Sequence, residues 1–81
     1  MTKTIQTKVA SIENGTPECV VLECLNGETI PPKAKLTTRA IFHEQHSVIA
    51  SPDRVKILGK GKPSVSLGEL VEIRVISGSG S

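Results

Sequence analysis

The sequence predicts an all-β chain: a small single-domain barrel or sandwich of about six to seven short antiparallel strands. Three observations carry this expectation. Val, Ile and Thr number 8, 8 and 7, against 11 for Ala, Leu and Met together. Branching at Cβ costs side-chain freedom in a helix and packs well on a pleated surface. Several windows alternate apolar and polar with period two. Turn residues recur at Asn14-Gly15, Asn26-Gly27, Ser51-Pro52-Asp53, Gly59 to Pro63 and Leu67-Gly68, a spacing of about ten residues that suits small sandwiches and barrels.

The elements follow in order. Ile5, Thr7 and Val9 alternate with Gln6, Lys8 and Ala10, the pattern of a strand with one covered face. Asn14-Gly15-Thr16 matches a glycosylation sequon and is read as a turn before Pro17. Next, Val20, Leu22 and Cys24 share one face while Val21 and Leu25 share the other, so this strand is expected to be buried on both sides. Asn26-Gly27 supplies the two left-handed residues of a type I′ turn, returning the chain through Glu28-Thr29-Ile30. Pro31-Pro32 stops that strand, because neither residue can donate to a ladder.

Lys33 to Ser51 contains neither Gly nor Pro. It is the one stretch with room for a helix, and a short helix within 33–46 would put Leu36, Ala40 and His43 on one face. The Leu36 to Phe42 run also reads in period two. The favoured reading is strand–turn–strand, with the turn at His43-Glu44-Gln45-His46. Val55 and Ile57 then alternate with Arg54, Lys56 and Leu58, and Val71, Ile73 and Val75 with Glu72 and Arg74. The segment Ser64 to Ile73 resembles the opening strands of an immunoglobulin-type sandwich. Val75 stands where that family places its first core cysteine and the chain has no Trp, so the segment contributes a turn at Leu67-Gly68 and no family assignment. Residues 1–76 form the expected domain, and 77–81 (Ser-Gly-Ser-Gly-Ser) read as a flexible tail or linker.

Size and composition bound the function. A chain of 81 residues is one domain, and at this size folding hides only about 60% of the unfolded surface. One Phe, no Trp and no Tyr leave few large side chains for a core. No apolar run approaches the roughly 20 residues of a membrane-spanning helix, and no secretory signal opens the chain. Cys19 and Cys24 are too few for a disulfide framework. They are read as free thiols in a reducing, cytoplasmic setting.

No catalytic constellation is visible. Ser47 beside His46, with Asp53 nearby, lacks a nucleophile elbow or paired carboxylates. Gly59-Lys60-Gly61-Lys62-Pro63-Ser64 lacks the glycine spacing and following helix of a phosphate loop. Cys19, Cys24, His43 and His46 could supply four zinc ligands, but their spacing on strands aims them apart. The chain is therefore expected to be no enzyme, and to carry no metal or cofactor.

Charge is uneven. Residues 1–30 carry a balance of −2, residues 31–62 one of +5 and the remainder −1. Lys33, Lys35, Arg39, Arg54, Lys56, Lys60 and Lys62 are accordingly the candidate residues for a polyanion such as nucleic acid. Four phosphate contacts would give a log–log salt slope of roughly −3 to −4 on duplex DNA. Only Phe42 could stack on a base, and its run Ala40-Ile41-Phe42 reads as core, so the stacking route of single-strand readers is nearly closed. The edge-protecting use of such lysines is the plainer alternative.

The leading expectation is a non-catalytic β-module that binds protein partners and self-assembles into a homo-oligomer, with nucleic-acid binding through the basic 33–62 region as the alternative. Val20, Val21, Leu22 and Leu25 are the residues expected at or beside the contact, since a chain this small often completes its core across an interface.

Overall fold

The computed structural model describes residues 2–76, apart from the side chains of Gln45 and His46. The 77–81 tail lies outside the described residues. Strand β1 (Thr2–Glu13) buries Ile5, Thr7 and Val9 and exposes Thr4, Gln6 and Lys8, as its alternation predicts. The Thr7 hydroxyl, fully buried, donates to the Val71 carbonyl at 2.7 Å. It is therefore no orphan in the core. A bulge between Val9 and Ser11 gives β1 an extra residue, which bends the strand and sharpens its twist.

Five shorter strands complete the sheet: β2 (Glu18–Cys24), β3 (Lys35–Thr38), β4 (Glu44–Ser51), β5 (Arg54–Lys60) and β6 (Leu70–Ile76). The first half of β1 pairs with β6 and the second half with β2. Strand β2 continues to β5, β5 to β4, and β6 to β3, all antiparallel. The order is β3-β6-β1-β2-β5-β4, and the sheet curls into a half-barrel. Every neighbour reverses direction, so the two edge strands β3 and β4 run opposite to each other. No ladder joins them.

The concave face holds the core. Val20 and Leu22 of β2, Val55 and Ile57 of β5, and Val71, Ile73 and Val75 of β6 join the β1 residues there. Three loops supply the rest. Ile30 is tied in by its amide, which donates to the Pro52 carbonyl at 2.9 Å. Ile41 and Phe42 come from the segment between β3 and β4, and Val65 from the one before β6. The Ile41 carbonyl accepts from the Ser64 amide at 2.8 Å, and Ala40 accepts from the Ser64 hydroxyl at 2.9 Å.

Several expectations change. The Asn26-Gly27 pair does adopt positive φ, 58° and 69°, and the Glu28 amide closes the turn on the Leu25 carbonyl at 3.1 Å. Residues 28–30 nonetheless form no strand, because Ile30 leaves the sheet plane to fill the core. Within 33–46 there is no helix, and β3 ends at Thr38 with β4 beginning at Glu44. The turn is thus 39–43 rather than 43–46, and its two flanking strands lie at opposite edges of the sheet. Strand β2 is fully covered on one face only: Val20 and Leu22 are inaccessible while Val21 is half-buried. Gly59, expected in a loop, sits within β5.

Gly59 has a packing reason for lacking a side chain. A Cβ there would lie 2.5 Å from Cδ2 and 2.7 Å from Cβ of Phe42. The ring of the only aromatic residue covers this glycine. Its φ is outside the positive region, so alanine would be penalised by the ring alone. Gly59→Ala is expected to destabilise by about 1–3 kcal/mol through overpacking. In a domain of 60–100 residues each kcal/mol lowers the melting temperature by about 4–8 °C. Thermal melts by far-ultraviolet circular dichroism would measure this, and an unchanged midpoint would show that the ring does not rest on Gly59.

Candidate functional site: the open edge of the half-barrel

The four residues expected at an interface separate in the fold. Val20 and Leu22 are fully buried in the chain's own core and are unavailable to a partner. They hold the sheet together and could lie only beside a contact, not in it. Leu25 is half-buried, its amide donating to the Gln6 carbonyl at 3.0 Å. Val21 lies half-buried on the convex face, between Ser11 and Lys56 across the ladders.

The basic residues are not gathered into one patch. Lys33, in a left-handed conformation with φ 63°, and Lys35 belong to β3 and its approach. Arg54, Lys56 and Lys60 belong to β5, which β6, β1 and β2 separate from β3. Lys62 follows β5 in a turn containing Gly61 at φ 84°. Acidic residues oppose several of them: Glu23 lies across from Arg54 and Glu44 across from Lys60. Arg54 approaches Asp53 at 3.6 Å, and Arg39 pairs with Glu69 at 2.6 Å. Direct opposition of unlike charges is a stabilising device of sheets and reduces the field available to a polyanion.

Glu69 is held by two donors. Its carboxylate accepts from the Ser66 amide at 2.9 Å and from the Arg39 guanidinium at 2.6 Å. The Ser66 hydrogen bond is the largest influence and holds the carboxyl below its ordinary range; desolvation opposes it, and the hydrogen bond and charge of Arg39 lower it further. A folded pKa lowered in this way contributes stability above the unfolded value and loses it as pH falls through the folded one. Glu69→Gln should therefore melt earlier than wild type at neutral pH, the difference closing well below the ordinary carboxylate range. Parallel melts across that window provide the check.

The two thiols lie apart. Cys24 packs against the core and Cys19 occupies the opposite face of β2, and both are free. Burial, then the nearby Asp53, Glu28 and Glu23 carboxylates, pushes the Cys24 thiol up, which suppresses the reactive thiolate. His43 is exposed, and the side chain of His46 lies outside the described residues. Among the described residues no group of three potential metal ligands comes together.

What the fold does bring together is the open side of the half-barrel. Its two banks differ. Strand β3 is four residues long, with Lys35 its one charged residue; Pro31-Pro32 and Lys33 precede it and Arg39 follows it. Short length, proline and lysine are the usual means of blunting an edge. Strand β4 has eight residues, no proline, and Glu44 as its one Asp, Glu, Lys or Arg. Val48 is 43% exposed and Ile49 50% exposed. Glu44 and a bulge between Gln45 and Ser47 guard its N-terminal end, but Ser47 to Ser51 has no charge, proline or bulge, and such a stretch is a template for another strand.

Between the banks lies a cleft of about 200 Å³ that reaches the core, lined among others by Leu36, Thr38, Val48, Val55, Ile57 and Ile73. The Thr38 hydroxyl at its wall is buried without a hydrogen-bond partner. Sequence reasoning missed this site. Its signal was an absence, since no Lys, Arg or Pro interrupts Glu44 to Ser51.

No family model, curated protein or solved structure matches this chain. No helix among the described residues is long and apolar enough to cross a membrane.

Proposed function

We propose that this protein is a non-catalytic β-module that binds protein by accepting a strand at the β4 edge, self-assembly being one form of that binding. The observation that carries the reading is the regular, uncharged Ser47 to Ser51 stretch of the β4 edge, with Val48 and Ile49 exposed. Main-chain hydrogen bonds give such docking its affinity, and alternate side chains give it specificity. The cleft beside Val48 offers a place for one apolar side chain of the incoming strand. Two free thiols suit a reducing, cytoplasmic setting. The polyanion reading is weaker, since its residues divide between two separated strands and acidic partners oppose several of them.

The test is size exclusion with light scattering at several concentrations, with absorbance recorded at 260 nm. The expected result is an assembly larger than 8.6 kDa with no 260 nm signal above the nearly dark polypeptide. Val48→Lys places an inward charge on the edge, a device that blocks strand pairing, and should reduce the assembly to single chains. Replacing Lys60 and Lys62 by alanine should leave it intact. An assembly indifferent to Val48→Lys, or a 260 nm peak that high salt strips away, would overturn the reading in favour of another surface or of nucleic acid.

A further inference from the structure

We infer that the strand received at β4 is the β4 strand of a second copy of this chain, paired antiparallel about a two-fold axis at Ile49. The inference rests on the strand-addition reading and names its partner. Three observations support the second copy.

The first is register. Antiparallel neighbours directly opposite each other point to the same face, so two copies of one strand can pair only where inward residues meet inward residues. In β4, Val48 and Ala50 share the core face with Ile57 and Val55, while Ser47, Ile49 and Ser51 face outward. A bulge between Gln45 and Ser47 breaks this alternation on the N-terminal side. The regular part is Ser47 to Ser51, and its centre is Ile49. An axis there uses every regular residue: Ile49 opposite itself, Val48 opposite Ala50 of the second copy, and Ser47 opposite Ser51. An axis at Val48 would keep only the stretch from Ser47 to Ile49.

The second is charge. A two-fold contact sets central residues against themselves, so any charge there would meet its own kind. Ser47-Val48-Ile49-Ala50-Ser51 contains no Asp, Glu, Lys or Arg. The β3 edge, by contrast, has Lys35 among its four residues and Lys33 and Arg39 flanking them.

The third is the cleft. The core is open beside Val48, and the wall residues Val55 and Ile57 are apolar. In this register Val48 of the second copy faces the same side, next to Ala50 and the Ala50–Val55 pair. An apolar side chain is thus delivered at the mouth of the apolar opening, and the same happens in reverse.

The test uses charge at the axis. Ile49 is half exposed, so a charged replacement is tolerated by the isolated fold, which circular dichroism would confirm. Ile49→Lys and Ile49→Glu should each run at 8.6 kDa, half the mass of the wild-type dimer, because like charges then lie directly opposite. An equal mixture of the two variants should recover the doubled mass, with Lys against Glu across the axis. High salt should weaken the mixed dimer and leave the wild type unaffected. A wild type that stays a single chain at every concentration would overturn the second copy as occupant. So would variants that remain dimeric, or a mixture that stays monomeric while wild type associates. If Val48→Lys still disrupts association in that last case, the strand-addition reading survives and the two-fold at Ile49 does not.

Discussion

Everything in this fold depends on how the chain crosses from one edge of the sheet to the other. Strand β3 ends at Thr38 and β4 begins at Glu44, and β3 and β4 are the opposite limits of the sheet. The five residues between them bridge at most about 20 Å even when fully extended. The sheet must therefore curl until its edges stand within that reach. Ile41 and Phe42 sit on the crossing and are buried, so the connection also covers one end of the core. Phe42 lies over Gly59 of β5, which anchors the crossing to the strand beside β4.

The same constraint explains why the barrel stays open. Direct pairing of β3 with β4 would be antiparallel and in principle acceptable, but β3 offers only four residues. The core is built from Val, Ile and Leu with a single aromatic. The opening that remains is the cleft beside Val48. A small chain has too little apolar volume to cover all its surfaces, so the uncovered part concentrates on one strand.

The legible parts of the sequence were those where local pattern and tertiary demand agree. The alternation of Val71, Ile73 and Val75 gave β6, and that of Ile5, Thr7 and Val9 gave the core face of β1, because a one-sided sheet imposes period two directly. The left-handed Asn26-Gly27 turn was visible from its residue types. Ile30 was misread as strand because a loop residue filling a core has no periodicity to reveal it. The 33–46 stretch was ambiguous for a related reason: Ile41 and Phe42 are apolar in sequence yet belong to a crossing, not a strand. Gly59 read as a turn because its packing under Phe42 depends on a residue seventeen positions earlier. The site was least legible of all. Val20 and Leu22 drew attention as an apolar cluster, and such clusters usually mark the core; an exposed edge is marked by what it lacks.

The asymmetry between the edges decides what kind of assembly this surface can sustain. A sheet with two open edges pairs head to tail and has no reason to stop, which is the geometry of fibres. Here β3 is blunted by Pro31-Pro32, Lys33, Lys35 and its shortness, so one edge is withdrawn from pairing. Contact through β4 alone consumes the only unguarded edge of each copy. In the proposed pairing the product would present two β3 edges, both guarded, and growth would end at two. The β1 bulge at Ala10 and the β4 bulge at His46 work in the same direction, since each adds local twist and a strongly twisted sheet stacks poorly into flat arrays. A chain that must expose an apolar strand in order to bind can in this way avoid the indefinite pairing that such a strand otherwise invites.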